Sequence, residues 1–519
     1  MTDSEREPSL LTLSDPEFYS EFLYYLHRDA ERRWTHTEGS TLEPNMTLPI
    51  RSLDEAVLKR LYSVLDIFAL ISVSEPGNVA AVTASITQDH NGTLSTIIYI
   101  VFSRELSPTD AERVVSHFGD IFSILRDISI PGSEESSKVL RPESQDAFGR
   151  LLTSLYNFSW EQFARRVRKR HASFLQLRAD VMEARQGNHS HFLDSDYPTL
   201  DKLFNYIEIV LEILDQADAS DTATTIHDIY KRCIELHILS NDVNACDPGP
   251  LLGKLDRFMS GKNYSFSMQR WLSKIMSYHL GALKLSGLAL SKRLRVLLSG
   301  TLDVKILPTI QAEPYTCELT SDNIKSALTQ ALEATGNSDL GDRDWQDEFA
   351  STVLDHVSRS GAHAIHRAST TVHSEIAMIR HIKEQEIGVL RYIGRSKLSC
   401  GACYAYMRAD PERFVTRGSH GKFYPSWRLP SCSSEEDKDI RLRLVKLLQE
   451  LLVKDFTRWV SYQKAERRKS DSSAGSDGGI NTSYWFGNLE AKEKAREEAR
   501  LRAKRTTSES SLDSSISSE

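Results

Sequence analysis

Cysteine is scarce in this 519-residue sequence: six residues, too few for a disulfide framework in a chain of this length. Cys233, Cys246 and Cys317 lie apart in helical or loop-like sequence and read as small buried hydrophobes. A reducing, intracellular compartment, cytoplasmic or nuclear, is therefore expected. Long apolar runs are also missing. A membrane span needs ~20 apolar residues; the best run, Val64 to Val73, is short, is interrupted by Asp66, and reads as a buried helix. No membrane partner is expected. The opening residues, MTDSEREPSLLTL, are acidic and lack an apolar h-region, so neither a secretory signal nor a transit peptide is expected there. No internal repeat is visible. A net charge of −8 is too mild to name a partner, whereas 40% hydrophobic and 26% charged residues suffice for an ordinary core.

Charge is uneven along the chain. Residues 361–430 hold 11 Lys/Arg against 5 Asp/Glu, a local balance of +6. Four regions are expected: a mixed α/β unit over 1–135, a helical domain over 136–300, a zinc domain over 301–466 and a disordered tail over 467–519. In the first, residues 16–36 and 52–73 have helical spacing, and Val79–Thr87 and Leu94–Phe102 flank Asn91-Gly92, a hairpin turn signal. The second contains an Arg-rich helix, Arg165 to Arg170, which reads as a solvated face or as a contact for nucleic acid. No recognisable catalytic motif occurs before residue 300. Beyond it come a strand at Val304–Ile310, helices near 320–335 and 342–358, and a helix from Lys438 to Ala465. The tail is Ser/Gly/Asp-rich and then Ala- and charge-rich, unable to bury enough apolar surface to offset its ordering entropy. Arg502–Arg505 within it is a weak nuclear-address signal.

The chemistry lies in HSEIAMIRHIKEQEIGVLRYIGRSKLSCGACYAYM, which begins at His373. Residues two apart within a helix point ~200° away from each other. His373 and Glu375 can therefore share a site only at a helix start, and the change from Thr-Thr-Val to helical spacing places one there. Ile387–Ser396 has the composition and length of a buried strand. Cys400 then opens a second helix, with Cys400 and Cys403 adjacent on one face, where the helix N-terminus and a metal both favour thiolates. One nitrogen and two sulfurs leave a tetrahedral zinc (Zn2+) with an open position for water, the mark of a catalytic rather than a structural site. Glu375, a non-ligand carboxylate, is placed to shuttle protons. His-x-Glu followed by Cys-x-x-Cys is the arrangement of zinc deaminases.

Competing readings use the same residues. Cys400, Cys403, His420 and Cys432 would make a closed structural zinc site, which leaves His373 and Glu375 without a role. A thioredoxin-like redox pair lacks the surrounding βαβ pattern. His366, His381, Glu384 and Glu386 read as surface residues. Within Phe414–Arg428, Arg417, His420, Lys422, Tyr424 and Trp427 interleave cations with rings, as a loop touching phosphates and unpaired bases would. Gly418, Gly421 and Pro425 equally suit a fixed loop whose rings pack on the core.

The run from Tyr392 through Gly394-Arg395-Ser396 and Cys400-x-x-Cys403-Tyr404, with Phe414-x-Thr416-Arg417-Gly418-Ser419-His420-Gly421-Lys422, resembles the OTT-like deaminases. These are a fungal and bacterial-toxin-related branch of the zinc-dependent cytidine/nucleic-acid deaminases. The resemblance covers about residues 360–430. It implies a three-layer α/β/α domain in the C-terminal half, preceded by mostly helical sequence containing the hairpin. It also implies His373, Cys400 and Cys403 as zinc ligands and Glu375 as proton shuttle. Ser399 stands where many members of the wider superfamily have proline. The expected activity is hydrolytic deamination of cytosine or adenine in nucleic acid or a nucleotide. The alternative is a non-catalytic, zinc-binding interaction protein of the same fold.

Overall fold

The computed structural model of the chain describes residues 9–27, 55–88, 94–129, 142–186, 192–216, 222–244, 251–262, 267–291, 294–358, 364–367, 370–432 and 434–472. It is a mixed α/β protein. The chain divides into two compact units, residues 1–458 and 459–519. The last described helix, Glu435–Ser472, begins earlier and ends later than its apolar spacing predicts, with Leu444, Leu448 and Leu452 fully buried. The turn at Asn91-Gly92 and the tail from 473 onward lie outside the described residues.

Among the described residues, strands form three sheets. The largest is built around the predicted hairpin, Ala80–Gln88 and Leu94–Phe102. Thr301–Leu307 joins one edge, parallel to the second hairpin strand with Ile98 opposite Val304. Gly394–Arg395 joins the other edge, antiparallel, with Val82 opposite Gly394. Val82, Ile98 and Ile100 are fully buried, as expected where a strand reads as a continuous apolar run. The hairpin of the first 135 residues is thus the centre of the sheet whose edge carries Gly394–Arg395, just before Cys400. A second sheet orders Ser9–Leu10, Tyr315–Glu318 and Ala364–Arg367, and a short pair joins Gln311–Ala312 to Thr370–Thr371.

One sequence expectation needs correction. The stretch Ile387–Ser396 is not a full-length strand: only Gly394–Arg395 pairs in the sheet, and Tyr392 makes a single parallel bridge to Val415. The physical reason is close approach. A Cβ on Gly394 would lie 2.3 Å from the backbone carbon of Leu65. The Glu55–Ile71 helix presses on the chain here, and Tyr62 stacks on Tyr392 with ring centroids 4.3 Å apart. Asp66, the residue that broke the apolar run, accepts from the Tyr392 hydroxyl at 2.8 Å and from the Arg395 amide at 2.9 Å. It is held down among apolar neighbours because these partners satisfy it.

The helix Pro16–His27 plays a similar part. Glu17 and Glu21, one turn apart, are each 1% exposed. Glu21 takes a two-pronged contact from Arg367, at 2.9 and 3.0 Å, and further bonds from the Tyr315 hydroxyl and the Ser426 amide. Glu17 binds Arg441 and accepts from the Leu429 amide at 3.2 Å. Removing one partner of such a buried set leaves the others unpaired. Glu21→Ala should therefore lower unfolding free energy by about 3 kcal/mol, read by chemical denaturation; a loss below about 1 kcal/mol would show that Arg367 and Tyr315 find other partners.

Candidate metal centre

His373 is the N-cap of the helix Ser374–Glu384, and Glu375 occupies its first turn, where the helix N-terminus favours a carboxylate. Cys400 is the N-cap of the helix Gly401–Ala409, its sulfur accepting from the Cys403 amide at 3.3 Å, a thiol doing what Ser or Asp commonly do at a cap. Gly401 is needed because a Cβ there would lie 2.7 Å from the Phe423 ring. The helix closes at Asp410 as the Asp-Pro dipeptide predicts. Asp410 is fully buried at its carboxylate and pairs with Lys383 at 2.8 Å, which ties the two helices together.

Their starts meet. Nδ1 of His373 lies 3.6 Å from the Cys400 sulfur and 3.3 Å from the Cys403 sulfur. The three donor atoms all fall within 4.8 Å of one another and could hold a metal ion. Burial works against charge on the Cys400 thiol, yet its hydrogen bond with Cys403 and the neighbouring His373 hold it below the ordinary thiol range. Burial pushes Cys403 up, and the Cys400 thiolate beside it adds to this. His373 is raised: burial would lower it, but the Cys400 sulfur overcomes that. The indole N–H of Trp427 donates to the Cys403 sulfur at 3.3 Å. N–H donors on both sulfurs are what metal-bound thiolates require from their surroundings, so the donor set and its hydrogen bonds fit a cation.

Glu375 is 1% exposed. Its Oε1 faces the Arg395 guanidinium, and Ser374 Oγ reaches its Oε2 at 3.3 Å. Burial would raise its pKa, but the Arg395 charge and then His373 bring it below the usual carboxylate value. Arg395 also donates to Ser399 Oγ. Arg395 sits in the motif but its role does not follow from spacing: Arg391 and Lys397 flank it in the same stretch, and nothing local distinguishes it from them.

The remaining expected residues are placed unequally. Tyr424 is 42% exposed, its ring 6.3 Å from that of His373, and its hydroxyl meets His420 Nε2 at 3.3 Å. His420 Nδ1 accepts from the Lys422 amide at 3.1 Å, and the Lys422 carbonyl accepts from Gly401 at 2.8 Å. Arg417 lies 4.0 Å from Asp66, at the back of the Arg395 strand. Trp427 is 1% exposed and forms the wall behind Cys403. Cys432 is exposed, with its sulfur directed to the Ser434 carbonyl, and His420 and Cys432 are not in the metal group. Cys432→Ala should accordingly leave metal content unchanged by elemental analysis; loss of the metal would restore the closed four-ligand site. His381, read as a surface residue, is instead buried, with Nε2 at 2.8 Å from the Pro308 carbonyl, because its helix packs on the two hairpin strands at the centre of the sheet.

No curated protein and no solved structure matches the chain. Residues 372–431 do match a family model, and His373, Glu375, Arg395, Cys400, Cys403 and the Phe414–Arg428 loop all fall within that span. The family to which this stretch is assigned is that of the OTT_1508-like deaminases.

Proposed function

We propose that the chain is a zinc-dependent hydrolytic deaminase acting on a nucleobase, cytosine or adenine, in nucleic acid or a nucleotide. The observation that carries this reading is a buried non-ligand carboxylate, Glu375, at the same helix start as a one-nitrogen, two-sulfur donor group. A purely structural metal site has no use for such a group. His373, Cys400 and Cys403 would hold the zinc, which supplies Lewis-acid activation of water at neutral pH.

The chain's own residues do the rest. Arg395 keeps Glu375 ionised, ready to take the first proton. Glu375 would pass that proton to the ring nitrogen, then take the second proton from the hydroxyl added to the ring carbon and pass it to the departing amine, a general acid–base role. Trp427 shields Cys403 from water and orients it. Tyr424 offers an exposed ring beside His373 on which a base can stack, with His420 fixing its hydroxyl. Arg417 and Lys422 supply cationic groups on the same loop.

A second reading, a non-catalytic deaminase-fold zinc-binding interaction protein, draws on one observation: Arg395 already engages Glu375 Oε1. The two readings separate in one experiment. Zinc-loaded protein is incubated with nucleosides, nucleotides, single-stranded DNA and single-stranded RNA, and released ammonia and base conversion are followed by mass spectrometry. Conversion in any arm supports the enzyme; zinc-replete protein inert in every arm supports the interaction protein.

A further inference from the structure

The Arg-rich helix that the catalytic reading leaves unused ends within electrostatic reach of Lys397, three residues before Cys400. The helix Pro142–Arg168 kinks at Ser159, and its last turn carries Arg165, Arg166 and Arg168. With its amide oriented to satisfy both neighbours, Gln162 accepts from Arg166 Nη2 at 2.8 Å and donates to the Glu75 carbonyl at 2.9 Å. Five residues on from Glu75, Ala80 exchanges hydrogen bonds with Ser396: its amide donates to Ser396 Oγ at 3.0 Å, and its carbonyl accepts from the Ser396 amide at 3.2 Å. The helix end and Ser396, the residue before Lys397, are thus held at two points of the one segment Glu75–Ala80. On its other flank, the indole of Trp271 donates to the Val167 carbonyl at 3.2 Å and brings up the helix Met268–Ile275 with Arg270 and Lys274.

Six cations thus converge from three parts of the chain: Arg166, Lys169, Arg170, Arg270, Lys274 and Lys397. Lys169, Arg270, Lys274 and Lys397 are exposed. Loss of hydration against the surrounding protein lowers Lys397, and the charges of Arg166, Lys169, Lys274 and Arg395 lower it further. Lys274 is lowered in the same way, first by partial loss of hydration and then by Arg166, Arg170, Lys169 and Arg270. Arg168 turns to a different side and meets Asp215. Gathered like charges repel one another and cost stability. A polyanion that docks on them and releases its condensed counterions to solution offsets this cost.

We propose that this cluster docks the phosphate backbone of a single-stranded nucleic acid whose base enters the site formed by His373, Glu375, Cys400 and Cys403. The inference rests on the deaminase reading for the fate of the base, but not for the binding itself. Lys397 stands three residues before Cys400, so their Cα atoms are at most ~11 Å apart. Arg395, the partner of Glu375, lies within the field of the same cluster. A single strand suits the placement because a duplex hides its ring atoms within the stack.

The test uses the full chain and fluorescence anisotropy with labelled single-stranded RNA and DNA of matched sequence, at salt from about 50 to about 200 mM. Wild-type protein should bind with steep salt dependence in at least one arm. Lys169→Glu with Lys274→Glu should weaken binding about 10-fold or more and flatten the slope of log K against log salt by about 1.4, two phosphate contacts on a single strand. Lys231→Glu with Lys446→Glu, exposed cations elsewhere with the same change in net charge, should bind like wild type. Equal zinc content across variants reports an intact fold. Two double variants behaving alike, or wild-type protein that binds neither strand, would overturn the surface. Base conversion across the nucleoside, nucleotide and single-strand arms reports on the deaminase reading separately. Its absence from every arm with the binding difference intact removes the chemistry and leaves the docking surface standing.

Discussion

Glu375→Gln should abolish most turnover, by about 100-fold or more, while zinc and fold survive. Glutamine keeps the shape that faces Arg395 and Ser374 but can neither take a proton from water nor return one to a leaving amine. If Glu375 acts only in the transition state, kcat and kcat/KM should fall together. The choice of glutamine follows from the structure. Both changes remove the counter-charge of the 4%-exposed Arg395 side chain, but alanine also removes the oxygen it donates to, which glutamine keeps, and a buried cation left with no partner costs about 3–5 kcal/mol. An inactive Glu375→Ala protein would thus confound lost chemistry with a damaged fold. A Glu375→Gln protein with wild-type rate on the substrate identified by the nucleobase panel would remove this carboxylate from the mechanism.

The second large effect is on the metal and on folding together. Cys400→Ala and Cys403→Ala should each reduce bound zinc from one per chain to near none by elemental analysis, and lower the melting temperature. The two losses are coupled because ligands assembled only in the folded state turn binding free energy into folding free energy. The two variants should differ in what else they damage. Cys400→Ala also removes the N-cap acceptor for the Cys403 amide, about 1 kcal/mol by the usual cost of a lost cap. Cys403→Ala leaves the buried Trp427 indole without its acceptor, another about 1–3 kcal/mol. Both should melt lower than wild type even when all three proteins are compared after chelation. Either variant retaining full zinc would exclude that sulfur from the ligand set.

The grouping of His373, Cys400 and Cys403 was legible because its information is local. A His-x-Glu at a helix start and a Cys-x-x-Cys at the next are short patterns with a geometric meaning, and the helix and hairpin periods around them are local too. Its supports were not legible. Asp66 meets Tyr392 and Arg395 across more than 320 residues, and Glu21 meets Arg367 and Ser426 across still greater separations of 346 and 405. Nothing in periodicity records such pairings. What the sequence did carry was an anomaly: an acid in an apolar run at Asp66, and a Glu17/Glu21 pair in an aromatic-rich helix. An acid placed where apolar residues dominate needs a partner, but the partner's identity is a property of the fold. Trp427 illustrates the opposite error. Its position among cations suggested base stacking, whereas its ring is enclosed and its N–H is spent on sulfur.

The central sheet has a consequence for how the chain must be made. Its hairpin is complete at Phe102, but Thr301 lies 206 residues beyond its partner Ser95, and Arg395 comes later still. At a synthesis rate of ~5–20 residues per second, the hairpin waits ~10–40 s for its first neighbour. Throughout that interval the apolar runs around Val82 and Ile98 have both edges open, the condition under which nascent strands pair with the wrong chain. A chain begun at residue 301 would meet the reverse difficulty: the strand at 394–395 would find neither the hairpin nor Asp66 to receive it.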